Sequence, residues 1–320
     1  MPLTPHPQPD QRSLRRGMVA GVGAYAMWGV LPLYFPLMAG AGVWEIGAHR
    51  VLWSMLFCGL LLALTGTLGQ VRALLRDRGV LGRLALASSF LAANWVTFLY
   101  AVLTDRVVDA SLGYFINPII TVLLAVLVLR ERLRPMQWVA IGIAAVGVVV
   151  ITIGYGTMPW VAVVLAGSFG IYGLAKNRIG RTVPALPGLL VETTALMPVS
   201  LAYVVVLGIQ GTGTFLTATD ATALGHPWHS LALAGSGIAT AVPLVCFAVA
   251  TRALPLSTVG LLQFIAPTMQ FIIGVAVLGE QMPAARWAGF VLVWVALVLL
   301  GVEGQRARRR PAGPVPPAPQ

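Results

Sequence analysis

A carboxylate, an imidazole and a guanidinium fall close together at Glu45, His49 and Arg50, in a stretch that is otherwise apolar. Glu45 and His49 are four apart and share a helix face, while Arg50 is one residue round. Arg50 stands roughly 7–8 Å along the axis from Glu45 at 1.5 Å per residue. Ionisable groups in an apolar setting are costly and are functional candidates for that reason. The set suits a gate or a proton carrier. A purely structural role is the competing reading: Glu45 would face a positive helix N-terminus and Arg50 would snorkel outward. A second carboxylate, Glu192, follows about 147 residues later and in the same kind of setting. It forms the other half of the gating and coupling set.

Uncharged polar and aromatic residues lie deeper in apolar runs. Asn94 and Trp95, Tyr114 and Asn117, Gln263 and Gln270, together with Trp28, form a candidate substrate cavity. Pro118 and Pro267 are candidate helix breaks, because proline frees a backbone carbonyl that protein or a cavity must then satisfy. Each polar residue alone reads equally well as an interhelical hydrogen bond. His226 and His229 flank Pro227-Trp228 in a long loop, a weak metal pattern, and no metal site is assigned.

The elements that must hold these residues are membrane helices. Of 320 residues, 58% are hydrophobic and only 10% charged, against roughly 25% charged in soluble proteins. Apolar runs recur over 17–38, 45–66, 81–103, 109–130, 136–153, 158–175, 186–208, 230–250, 257–279 and 284–302. The fold class expected is therefore all-α integral membrane with ten transmembrane helices. Residues 1–16 and 303–320 read as disordered tails, the second basic and proline-rich. A signal peptide ending the first run is disfavoured, since no small-residue cleavage site follows it.

The chain repeats itself. LGYFINPIITVLLAVLVLRERLRPMQW (112–138) returns as LLQFIAPTMQFIIGVAVLGEQMPAARW (261–287). Phe115 matches Phe264, Pro118 matches Pro267, Glu131 matches Glu280 and Trp138 matches Trp287, all at an offset of about 149 residues. The halves are 17–153 and 154–302. Five helices each is an odd number, so the halves cross the membrane in opposite senses, a pattern of secondary transporters. Of the 21 basic residues, all but Arg50, Arg106 and Arg286 fall on one side if ten helices cross. The positive-inside rule puts that side, with both termini, in the cytoplasm of a cytoplasmic-membrane protein.

Other classes lose ground. The net charge of +11 is scattered over alternate turns, so nucleic acid is not a partner. Cys58 and Cys246 sit in apolar runs and suggest neither a disulfide nor zinc. No P-loop, H-E-x-x-H or G-x-S-x-G occurs, so no cofactor and no enzyme activity are assigned. Gly142 to Gly147 reads as a packing face. The expected partners are a small-molecule substrate and the bilayer, with a homodimer left open.

Several segments in order carry a resemblance: EIGAHRVLWS (45–54), NWVTFLYAV (94–102), SLGYFINP (111–118), VETTALMP (191–198) and LPLSTVGLLQFIAPTMQF (254–271). The chain resembles the RarD (chloramphenicol-sensitivity) group of the EamA families, in the drug/metabolite transporter superfamily. It departs from the group at Phe264, where Tyr is expected, and at Lys176-Asn177-Arg178 in place of a compact Arg-Lys pair. The resemblance implies paired EamA repeats and a permease, without naming a substrate. With the residue reading, it leads to export of a small metabolite or drug, by alternating access and coupled to protons. The rivals are a receptor or scaffold without transport, and a lipid-modifying membrane enzyme.

Overall fold

The structure, a computed structural model, describes residues 11–130, 133–179, 183–217, 225, 227–254 and 256–309. Glu131, Arg132, Arg181, His226 and the tail from 310 lie outside it. The helices in chain order are α1 (Gln11–Tyr34), α2 (Val43–Leu64), α3 (Leu68–Arg76), α4 (Arg78–Leu103), α5 (Val107–Leu129) and α6 (Pro135–Tyr155). They continue as α7 (Trp160–Ile179), α8 (Ala185–Gln210), α9 (Trp228–Ala253), α10 (Leu256–Leu262), α11 (Ile265–Ile272) and α12 (Ala284–Arg309). No strand occurs among the described residues. Among the described residues nine segments are long and apolar enough to cross a membrane; one of them, Thr258–Val277, joins most of α10 to α11 and the π turn Ile273–Val277. Helix α7 is apolar over Trp160–Ala175 and falls short of that length. The outward faces stay apolar: Ile209, Ile153, Leu64 and Val199 are each more than 70% exposed. With no water-facing polar stripe, such helices are stable only against lipid and each other.

Three sequence expectations are corrected. Residues 11–16 belong to α1 and residues 303–309 to α12, so the helices run past their apolar cores into polar ends. Helix α3 was not expected. It is short and amphipathic, with Leu74 buried against the α4–α8 side and Leu68 and Leu75 exposed. Asp77 then caps α4, accepting from the N–H groups of Gly79 and Val80 at 2.9 and 3.0 Å.

The breaks differ between the two prolines. Helix α5 runs through Pro118. The segment carrying Pro267 is interrupted between Leu262 and Ile265. Proline cannot donate to the carbonyl four residues back and clashes with it. For Pro267 that carbonyl belongs to Gln263, so the helix breaks there and restarts with Pro267 in the first turn of α11.

Packing pairs α6 with α12, α5 with α7, α1 with α9, α2 with both α8 and α9, and α4 with both α7 and α8. Between α6 and α12, a Cβ on Gly147 would stand 2.9 Å from the Gly289 carbonyl oxygen, so bare backbone makes the contact. Between α2 and α9, a Cβ on Gly237 would meet the Trp53 carbonyl oxygen at 2.6 Å. These two contacts fix how closely the helices behind the site approach.

Candidate functional site

Helix α2 turns Glu45, His49, Arg50 and Ser54 inward, all buried although three are ionisable. Arg50 reaches between helices. Its Nε donates to Thr240 Oγ1 on α9 at 2.8 Å. The guanidinium carbon lies 4.4 Å from the Trp95 ring centre and 5.5 Å from that of Phe35. Cation–π attraction offsets part of the cost of removing the charge from water. Nη1 is buried and has no hydrogen-bond partner, as is Ser54 Oγ one turn along the same face.

Nearer the start of α2, Glu45 Oε1 accepts from the Thr214 N–H at 2.6 Å and from its hydroxyl at 3.1 Å. Thr214 Oγ1 is also 2.8 Å from His229 Nε2. A threonine has one proton to give, so with Glu45 ionised the imidazole carries its own proton on Nε2. Its Nδ1 is then a bare acceptor, buried without a partner. The hydroxyl bonds of this chain can run in either direction, whereas the Thr214 N–H can only donate to Glu45. His49 stacks on Phe215 at 4.8 Å, with Nε2 unpartnered.

Toward α7, Tyr114 donates to Asn94 Oδ1 at 3.1 Å, and Asn94 Nδ2 donates to the Leu165 carbonyl at 3.2 Å and Ser168 Oγ at 3.3 Å. Phe98 joins Tyr114 to the Arg50 surroundings, its ring 5.9 Å from that of Tyr114 and 6.1 Å from that of Phe35. Arg50, Asn94, Trp95 and Tyr114, expected as one gate residue and three lining residues, therefore form a single cluster.

The other expected residues make their hydrogen bonds elsewhere. Tyr172 donates to Glu192 Oε2 at 3.3 Å, and Glu192 is buried on α8. Gln270 Nε2 donates to the Trp28 carbonyl at 3.2 Å, and Trp28 packs edge-on to Tyr25. Gln263 sits at the break before α11, and Asn117 Oδ1 is buried without a hydrogen-bond partner. Thr214, Thr240 and Ser168 were missed in sequence: lone hydroxyls in apolar runs give no signal until their distant partners are known. His229 was read as a loop residue, yet it is fully buried in the first turn of α9.

A second polar group closes the start of α5. Glu280 accepts from the Val108 N–H at 3.0 Å and from the Val107 N–H, so it caps that helix. Arg286 bonds Asp109 Oδ1 at 2.6 Å and the Gln281 carbonyl at 2.9 Å, and stands 3.9 Å from Glu280. Burial lifts the Glu280 carboxyl from its ordinary 4.5 to about 7; the two N–H groups and Arg286 pull the other way. Among the described residues no three His, Cys, Asp or Glu side chains gather as a metal would need.

Comparison with known proteins fits this geometry. The EamA-like transporter family matches residues 15–153. Protein RarD of Streptomyces exfoliatus is 47% identical over 296 residues, 92% of this chain and 91% of that one. The chain belongs to the RarD group of the EamA family. An uncharacterized transporter of Pseudomonas aeruginosa is 39% identical over 93% of this chain and 97% of its own length. One crystal structure shares the fold, with a TM-score of 0.56 at 18% identity over 91% of this chain and 99% of that one. As a RarD-family protein with these apolar helices, the chain is a multi-pass membrane transporter of the drug/metabolite type.

Proposed function

We propose that this RarD-family chain is a secondary active exporter of a small organic metabolite or drug. Ten helices cross the cytoplasmic membrane with both termini inside. Two inverted halves of five helices rock around the Arg50 cluster, and proton uptake drives the cycle.

The observation that carries this reading is a symmetry in the packing. Exchanging the halves turns α1 on α9 into α7 on α4, and α2 on α9 into α8 on α4. The pairs α2–α8, α5–α11 and α6–α12 turn into themselves. Phe115 and Phe264, matched by the repeat, stack at 6.5 Å, as residues beside a two-fold axis do. Hydrogen bonds Arg50–Thr240 and Asn94–Ser168 both cross between halves. Glu45 with Thr214 and His229, and Glu192 with Tyr172, supply a proton-accepting group in each half.

The test is flux in two stages. Metabolites are compared inside and outside cells with and without the protein, chloramphenicol included. A compound depleted inside and enriched outside only when the protein is made supports export. Its proton-driven flux is then measured in vesicles with Glu192→Gln. Coupled flux should vanish while the protein stays folded; unchanged flux removes Glu192 from the coupling.

A further inference from the structure

Among the described residues two arginines, Arg50 and Arg286, are buried, and the protein treats them differently. Arg286 has Asp109 and Glu280 beside it. Arg50 is equally buried, and among the described residues no carboxylate stands within 4 Å of it. What holds it is one threonine hydroxyl and two aromatic rings, which steady a guanidinium without neutralising it. The rings of Trp95 and Phe35 lie against the guanidinium, and Nε is taken by Thr240. Nη1 is left with an unused donor in the interior, where a buried donor is costly to leave unmet. Ser54 Oγ and His49 Nε2, also without partners, lie on the same helix within one turn. A membrane protein that leaves a cation unpaired at the junction of its halves has prepared a place for a charge that comes and goes.

We infer that Arg50 is the recognition point for an oxyanion, a carboxylate or phosphate, on the transported molecule, whose apolar part packs on the adjoining aromatic side chains. The open Nη1 can give either oxyanion a charge-assisted hydrogen bond. Thr240 fixes its orientation, and Trp95 and Phe35 keep water from competing. This assigns the cargo to organic anions that carry an apolar or aromatic body. Neutral chloramphenicol lacks the group that Arg50 would bind. The inference rests on the transport reading for its meaning, although binding itself is measurable without flux.

The experiment uses the full chain in lipid nanodiscs and follows thermal unfolding and tryptophan fluorescence during titration. The probes are phenylacetate, phenyl phosphate and, as the neutral match, phenylacetamide. One or both anions should raise the melting temperature and phenylacetamide should not; the arm that responds tells carboxylate from phosphate. Arg50→Gln should lose about tenfold or more in anion affinity, the usual loss for one charge-assisted contact. Without probe it should melt no lower than the wild type, because it deletes an uncompensated charge. Arg50→Lys should keep part of the anion response. Equal shifts with anion and amide, no shift with either anion, or an undiminished response in Arg50→Gln would each overturn the inference. The wild-type comparison decides even if a variant fails to fold. Flux of a neutral compound untouched by Arg50→Gln would remove the anion site and leave the transporter. Anion binding without flux would do the reverse.

Discussion

Arg286 and Arg50 are each only 4% exposed, yet their surroundings have opposite logic. Arg286 closes a circuit: it bonds Asp109, lies near Glu280, and Glu280 in turn caps α5. Nothing there waits for a ligand. Arg50 is braced on its faces and left open at a nitrogen, between helices from both halves of the chain. A closed circuit is what a fixed joint requires, while an open one keeps energy in reserve for a partner. Burial alone therefore says little about role, and completeness of pairing says more.

Three substitutions press on that contrast. Arg286→Leu should be the most damaging. It strands Asp109 and Glu280, and breaking a buried pair from one side costs about 3–5 kcal/mol. A drop of that size should appear in thermal unfolding of the purified protein, and a loss under about 1 kcal/mol, the range of surface pairs, would mean the joint is not closed. Thr240→Val comes next. It removes the one side-chain hydrogen bond that Arg50 makes among the described residues and should cost about 1–3 kcal/mol, the penalty for an unmet donor. Adding an anion that binds wild-type protein should recover less of that loss than of a control mutation elsewhere.

The smallest effect is a slope. Glu280 has its carboxyl raised to about 7 by burial. A raised carboxyl binds protons more tightly in the folded state, so its stabilising share is full below about pH 4.5 and is lost as pH rises through about 7. Melting curves at pH 5, 6, 7 and 8 should fall more steeply with pH for the wild type than for Glu280→Gln, which has no proton to lose. Parallel curves would show that Asp109 and Arg286, the charged groups facing Glu280, absorb the change.

Much of this was legible in the sequence because hydrocarbon leaves so few choices. Long apolar runs have to become helices, and the observed helices follow the predicted runs closely. The same logic hid α3: nine residues with one apolar stripe look like a loop beside runs of twenty. The proline at 267 signalled a break, but its clash acts on the carbonyl four residues earlier, so the interruption appears at Gln263. In the site, Arg50, Asn94, Trp95 and Tyr114 stood out as polar or aromatic residues in apolar stretches. Their joining, and the different hydrogen-bond partners of Glu192 and Gln270, depend on which helices touch. Thr240 lies 190 residues from Arg50, and no local pattern encodes that pairing.

The bare contact at Gly237 has a mechanical consequence. A point where two backbones meet with no side chain between them can act as a fulcrum. Thr240 is three residues from it, about 4.5 Å along α9, whereas Ala253 is about 24 Å away at 1.5 Å per residue. A tilt of about 10° around that point would carry the far end of α9 roughly 4 Å and Thr240 less than 1 Å. The lever is long on the side of Ala253 and short beside Arg50, so a tilt of α9 together with α1, whose Gly17 packs on Ala253, would sweep the far end widely while the grip on the guanidinium hardly shifts.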